Sequence, residues 1–405
     1  MEPIRTTDEL AQACRRLERE PFITVDTEFI RDQTYWPELC LVQMASADDD
    51  AVFLVDPLAK DLSLDPLFAL MNAEKVTKVM HAARQDIEIF HNLAGLVPRP
   101  LFDTQVAAMV CGFGDSVGYE ALVKRTLNET IDKSSRFTDW RRRPLSTQQI
   151  DYAVADVTHL RRVYVELAAQ LAQNGREAWV TEEMATLLDP ATYTLVPEDA
   201  WKRIKPKGLN RKALGVLVEV AAWREREAQA RNVPRARIAK DEALVEVAIQ
   251  APQSKEQLAG LRALPGGFAN SRGAKALLEA VARGLAKPKE EIPSLPRPKP
   301  LHPGAGPLLE LLKVLLKMKC AEHGVAQKLV ASTADLEIIA SEDTADVPAL
   351  IGWRHDVFGA DALALKRGEL ALAVRGGTLH LMPVKGEHAE APPPRRRRPR
   401  EAVAR

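Results

Sequence analysis

The nonapeptide FITVDTEFI (22–30) constrains this chain more than any other stretch. Its odd positions, Ile23, Val25, Thr27 and Phe29, make one face of a strand, and its even positions carry Asp26 and Glu28 on the other, because residues two apart on a strand share a face. Two acids therefore project side by side from the end of an otherwise apolar strand. Like charges so placed repel one another, and a cation between them relieves the repulsion. The plain alternative is an edge strand with a solvated face.

The flanking text places this strand in a sheet. ELCLVQMAS and AVFLVDP follow it with Asp48, Asp49 and Asp50 as a turn between them, so the three runs read as a meander. KVTKVMHAA reads as a fourth strand leading into the helix RQDIEIFHNLAG. Thr6 and Glu9 have capping-box spacing ahead of a first helix, and helices dominate after the fourth strand. Strands first, then mixed strands and helices, predict an α/β sandwich with a mixed sheet over residues 1–200.

Residues 205–287 read as a separate helical domain, with LGVLVEVAAWREREAQAR closed by Asn232-Val233-Pro234, then ALVEVAIQ, a Ser254–Gln257 capping box and ANSRGAKALLEAVARGL. Seven prolines within 288–307 predict a stiff extended linker. A second small all-helical unit is expected over 308–385, and the basic tail 389–405 is expected to be disordered. That tail reads equally as a non-specific attractor of polyanions or as a solvated end.

Composition narrows the function. No apolar run approaches the ~18 residues of a membrane span, and the N-terminal text lacks a charged-then-apolar signal layout. Cys14, Cys40, Cys111 and Cys320 include no CxxC pair, which argues against a disulfide framework or a zinc ribbon and for a reducing cytoplasm. The net charge of zero conceals a division. Residues 1–200 carry 33 acids against 20 bases, and residues 201–300 carry 21 bases against 10 acids. An acidic front and a basic middle fit one part that holds cations and another that meets a polyanion.

Two further elements bear acids. Asp86 stands just after the fourth strand, near a helix start, where the helix dipole alone would favour it. In DYAVADVTHL, Tyr152 and Asp156 are four apart on one face of a helix opened by the Ser146–Gln149 capping box. Each is commonplace alone; together they form a pattern. Asp-x-Glu on an early strand, Asp on a middle helix and Tyr-x-x-x-Asp on a late helix resemble the DEDD superfamily of 3′–5′ exonucleases, in its tyrosine-bearing branch. VDTEFIRDQTYWPELCLVQMA, HAARQDIEIF, LFDTQVAAM, Asp139-Trp140, Arg143-Pro144-Leu145 and DYAVADVTHL together resemble the bacterial ribonuclease D family, and residues 205–287 are similar to its HRDC domains. The resemblance extends more weakly to 308–385 as a second HRDC-like domain. The fold it implies is a ribonuclease-H-like exonuclease domain followed by two small helical domains.

The resemblance implies that Asp26, Glu28, Asp86 and Asp156 hold two divalent cations. With no cysteine or histidine ligand among them, the set suits Mg²⁺ or Mn²⁺ rather than zinc. Asp26 would bridge the ions, Glu28 and Asp156 would complete the site of the attacking water, Asp86 would help to hold the second ion, and Tyr152 would orient the water. His81 and His159 are read as structural, and Asp103 as an N-cap. Arg141 and Arg143, with Arg142 between them, are expected to clamp phosphate, and Lys133 and Arg136 could join them; the alternative is a solvated loop. Arg235 and Arg237 beside a helical-domain loop, and Arg272 and Lys275 at a helix start, are expected to bind RNA. Trp223 reads either as a base-stacking residue or as core. The expected activity is 3′–5′ exoribonucleolysis releasing nucleoside 5′-monophosphates from RNA, tRNA precursors included, by a cytoplasmic monomer. A DNA exonuclease, and a non-catalytic RNA-binding protein on the same scaffold, are the alternatives.

Overall fold

The computed structural model describes residues 1–48, 51–132, 134–204, 208–294 and 304–384. Asp49 and Asp50 of the expected turn, Lys133, the first residues of the 205–287 reading, much of the proline-rich linker and the 389–405 tail lie outside the described residues. The chain divides into two units, Met1–Lys299 and Pro300–Arg405.

The first unit opens with α1 (Thr7–Leu17) and three strands, β1 (Phe22–Ile30), β2 (Glu38–Ala45) and β3 (Val52–Val55). After α2 (Asp65–Met71), β4 (Thr77–Met80) and α3 (Arg84–Ala94) come β5 (Leu101–Asp103), α4 (Thr104–Val110), α5 (Tyr119–Leu127), the long α6 (Thr147–Asn174) and α7 (Glu177–Leu188). The strand order is β3-β2-β1-β4-β5. β1–β2 and β2–β3 pair antiparallel, whereas β1–β4 and β4–β5 pair parallel, which makes the expected mixed sheet. β5 adds a fifth strand, because three residues are too few to display the alternation that reveals a strand in sequence.

The two faces of β1 separate as its alternation requires. Ile23 and Val25 join Leu10, Leu17, Leu67 and Phe90 in one core. Against the opposite sheet face pack Trp140, Leu145 and Ala153, meeting Cys40, Leu41 and Leu54. The Thr24 hydroxyl donates to the Val157 carbonyl of α6 at 2.9 Å. The even face of β1, which bears Asp26 and Glu28, therefore looks towards α6. Ser146 caps that helix: its hydroxyl accepts from the Gln149 N–H at 3.2 Å while the Gln149 side chain accepts from the Ser146 N–H at 3.0 Å.

The helical part of this unit comprises α8 (Arg211–Ala230), α9 (Arg235–Ile238), α10 (Asp241–Gln250), α11 (Lys255–Ala259) and α12 (Arg272–Ala286). Helices α8 and α12 approach closely at Gly284, where an added Cβ would lie 2.5 Å from the Val216 Cα. Trp223 is buried, with its ring edge-on to Phe268 at 6.3 Å, so it belongs to the core and offers no face to a base.

The loop between β1 and β2 ties the helices to the sheet. The Tyr35 hydroxyl and the Arg235 guanidinium both donate to the Glu225 carboxylate, the latter from Nε at 2.6 Å, and the guanidinium lies 4.5 Å above the Tyr35 ring. The Asn232 side-chain amide oxygen accepts the Tyr35 and Trp36 N–H groups at 3.1 and 3.0 Å. Arg235 thus faces inward, against the expectation of an RNA contact, because a carboxylate with only 3% of its side chain exposed demands a cation. Arg237 is exposed but donates to the Gln33 side chain in the same loop.

The second unit has α13 (Ala305–His323), α14 (Gln327–Val330), α15 (Thr333–Ser341), α16 (Gly352–Arg354) and α17 (Ala360–Lys366). An antiparallel hairpin follows, β6 (Leu370–Arg375) and β7 (Thr378–Pro383). The all-helical expectation for 308–385 is corrected here. LALAVR and TLHLMP flank Gly376-Gly377, both at positive φ, a turn that suits a hairpin rather than a helix.

Removing Glu225 leaves the Arg235 charge half-buried and unpaired. Glu225→Ala should lower stability by roughly 3 kcal/mol, whereas Lys275→Ala should change it by under about 0.5 kcal/mol; urea unfolding of both variants checks this, and equal midpoints would contradict it.

Candidate active site

Three elements bring acids to one cleft. β1 supplies Asp26 and Glu28, the first turn of α3 supplies Asp86, and α6 supplies Tyr152 and Asp156. One carboxylate oxygen from each of Asp26, Glu28 and Asp156 lies within 4.8 Å of the others. Asp86 falls outside that set but is buried beside Asp26, whose charge acts on it, and accepts a hydrogen bond from the Thr27 hydroxyl. The cleft encloses about 490 Å³ and is lined also by His81, Tyr119, Arg136 and Phe137.

The local chain explains the convergence. A bulge between Glu28 and Phe29 turns the end of β1. Arg31, just beyond it, makes a two-pronged pair with Glu88 of α3 at 2.8 and 3.0 Å. The turn into α3 takes Ala82 to positive φ, and Asp103 accepts the N–H groups of Ala82 and Ala83 at 3.0 and 2.8 Å. Asp103 also caps α4, so it positions Asp86 instead of joining the cluster. The Tyr119 hydroxyl donates to the Asp156 carbonyl and anchors α6. Gln43 of β2 reaches the Asp26 carboxylate at 3.5 Å.

The electrostatics are those of crowded anions without a counter-charge. Burial raises the Asp26 carboxyl to about 6. Burial, then the charges of Asp26, Asp156 and Asp86, raise Glu28 to about 10. Burial and the Asp26 charge raise Asp156 to about 8 and push Asp86 well above the carboxylate range. Burial, and after it the neighbouring carboxylates, also push the Tyr152 phenol far upward, so it keeps its proton at neutral pH. Oxygen-only donors whose charge the protein leaves uncompensated fit a hard divalent cation.

The remaining expected residues fall into two groups. His159 meets the Ala155 carbonyl at 2.7 Å and Glu129 at 3.2 Å, as a structural residue does. Burial lowers His81 to about 4, so it is neutral, and its Nδ1 meets the Thr104 hydroxyl at 3.0 Å. Arg143 corrects the phosphate-clamp expectation: its guanidinium grips Asp56 at 2.7 and 2.8 Å and the Cys40 and Trp140 carbonyls, tying the loop before α6 to the sheet. Arg141 stays exposed beside Asp139 at 3.2 Å. Arg272 and Lys275 are exposed in the first turn of α12. Sequence reading passed over Thr27, Gln43, Tyr119 and Phe137, none of which carries a signal until the fold joins it to the acids.

This fold and site define a class: a 3′–5′ exonuclease domain followed by a helical domain. The family model for 3′–5′ exonucleases matches residues 1–172, and that for the HRDC domain matches residues 213–281. The ribonuclease D of Nitrobacter hamburgensis is 54% identical over 377 residues, covering 93% of this chain and 98% of that protein. That of Granulibacter bethesdensis is 52% identical over 382 residues, covering 94% and 96%. The crystal structure of Escherichia coli RNase D, titled an exoribonuclease involved in structured RNA processing, aligns at a TM-score of 0.77 and 30% identity over 91% of this chain and 98% of that one. The chain belongs to the ribonuclease D family, whose members are 3′–5′ exoribonucleases.

The raised carboxyls set a sign for stability. Folded Asp26, Asp156 and Glu28 hold protons that unfolded carboxyls release near pH 4, so cation-free stability is present below that pH and is lost as pH rises towards 6, 8 and 10. Asp26→Asn should raise the cation-free melting temperature at pH 8 by about 2–4 °C and shrink its fall between pH 5 and 8. A variant that melts lower, with an unchanged pH slope, would contradict this. Added Mn²⁺ should raise the wild-type melting temperature more at pH 8 than at pH 5.

Proposed function

We propose that this cleft hydrolyses the phosphodiester bond nearest a free RNA 3′ end, releasing nucleoside 5′-monophosphates, with Asp26, Glu28, Asp86 and Asp156 as oxygen donors to two divalent cations, Mg²⁺ or Mn²⁺. The observation that carries the reading is the meeting of the Asp26, Glu28 and Asp156 carboxylates within 4.8 Å. When bound, such cations supply the positive charge that draws in the phosphate and eases loss of a proton from water. Everything else falls to the chain. Asp26 and Glu28 are fixed by the sheet, Asp156 by α6, and Asp86 by the Thr27 hydroxyl. Tyr152 keeps its proton and hydrogen-bonds Asp156, so it orients groups as a donor instead of abstracting a proton. His81, neutral and buried, does not compete for that role.

RNA is expected to approach over basic side chains left exposed by the fold: Arg141 beside α6, and Arg272 and Lys275 where the N-terminal amides of α12 also attract phosphate. Arg143 and Arg235 act through the fold that they hold together. We assign residues 1–200 to the exonuclease domain, 205–287 to the HRDC domain and 308–385 to a second, HRDC-like unit. Precursors of tRNA are proposed among the substrates of a cytoplasmic monomer. Among the described residues no helix is long and apolar enough to cross a membrane.

Digestion of 5′-labelled and 3′-labelled RNA tests the reading. The 3′ label should leave first as a mononucleotide, only with Mg²⁺ or Mn²⁺ present. Tyr152→Phe should lower kcat by roughly 10²-fold or more with RNA affinity retained, and Asp26→Asn should abolish turnover; near-wild-type rates in either variant would overturn the site. Arg141→Ala should reduce the salt slope of RNA binding by about one unit, whereas Arg143→Ala should instead lower the melting temperature.

A further inference from the structure

Phe137 is 89% exposed, more than any other large apolar side chain among the described residues, and it lines the catalytic cleft. Its exposure is built into the fold. Ser135 on one side and Trp140 on the other are buried, and the Thr138 hydroxyl donates to the Ser135 carbonyl at 2.7 Å while accepting from the Gln149 side chain at 3.1 Å. The segment is thus pinned at both ends, with the side chains of Arg136 and Phe137 held outward between the pins. Arg136 lies with its guanidinium carbon 5.2 Å from the Phe137 ring centre, forms no ion pair at contact distance among the described residues, and is close enough for its charge to act on Glu28 and Asp156.

An exposed aromatic ring, beside a cation that forms no ion pair among the described residues, at the mouth of a cleft that admits a polynucleotide, has one chemistry in common with its ligand. Every nucleobase presents a π-face, and every nucleotide brings a phosphate. Water gains nothing from the ring, whereas a base stacked on it removes both faces from water. We propose that Phe137 is the stacking platform for an unpaired base at the RNA 3′ end, and that Arg136 beside it meets the adjoining phosphate. The inference rests on the exonuclease reading and deepens it. A ring reads the face of a base and not its hydrogen-bonding edge, so this contact selects for an unpaired end and hardly for sequence.

Steady-state digestion of single-stranded oligoribonucleotides, each lacking one base at a chosen position near the 3′ end, tests the proposal. Phe137→Ala should raise KM about tenfold, the fold-change of one base–aromatic stack, with kcat within about twofold, and Phe137→Trp should restore KM. Wild type should lose a comparable factor when the base at one position is missing, and Phe137→Ala should lose nothing further there. Melting temperature and its response to Mn²⁺ should match wild type, which separates the contact from folding and from the acids. An unchanged KM in Phe137→Ala, or the same penalty for the missing base in both proteins, would overturn the inference while leaving the exonuclease reading intact. Failure of wild type to digest intact RNA would instead overturn that reading.

Discussion

Mutual repulsion among four carboxylates is the constraint around which this molecule is organised. Among the described residues no cation pairs with them: the Arg136 charge acts on Glu28 and Asp156 without forming an ion pair with either. The surrounding structure holds the acids together against their charges. Each is fixed through its backbone or by a neutral partner: Thr24 onto α6, Tyr119 onto the Asp156 carbonyl, Thr27 onto Asp86, and Asp103 onto the turn before α3. A guanidinium in any of these places would have quenched the repulsion and with it the affinity for a cation. Arg31, Arg143 and Arg235 are instead paired with Glu88, Asp56 and Glu225, where they join elements without discharging the site.

That arrangement explains the charge division along the chain. The acidic front is the part that must attract cations, and the helical domain carries the surplus of bases. The two are joined by Tyr35, whose loop leaves the end of β1 only a few residues after Glu28. Through it, the α8–α9 ion pair Glu225–Arg235 and the pair between Arg31 of the loop and Glu88 of α3 brace the same loop. The placement of the helical domain and the geometry at the tip of β1 are therefore mechanically related, and some of the bases that the sequence offers for RNA are occupied in making that joint.

Two pairs within the site were legible from spacings that secondary structure converts directly into proximity, two along a strand for Asp26 and Glu28 and four along a helix for Tyr152 and Asp156, whereas their union with Asp86 was legible only through the family resemblance. Element order and the mixed sheet followed from the same periodicities. Three things were not legible. The three-residue β5 is too short to alternate. The hairpin around Gly376-Gly377 was absorbed into a helical stretch despite its glycine turn. The fate of each arginine depended on which buried carboxylate the fold brought to it, and pairs such as Arg143–Asp56 and Arg235–Glu225 draw on segments that local pattern does not connect. Phe137 likewise reads as an ordinary loop phenylalanine until the cleft forms around it.

Calorimetric titration of the protein with Mn²⁺ at pH 7, repeated in buffers of different ionisation enthalpy, tests the central claim most directly. If the acids share protons in place of a counter-charge, cation binding must expel protons, and the apparent heat will vary with the buffer for wild type but much less for Asp26→Asn. Binding without proton release, or proton release that survives Asp26→Asn unaltered, would contradict the account.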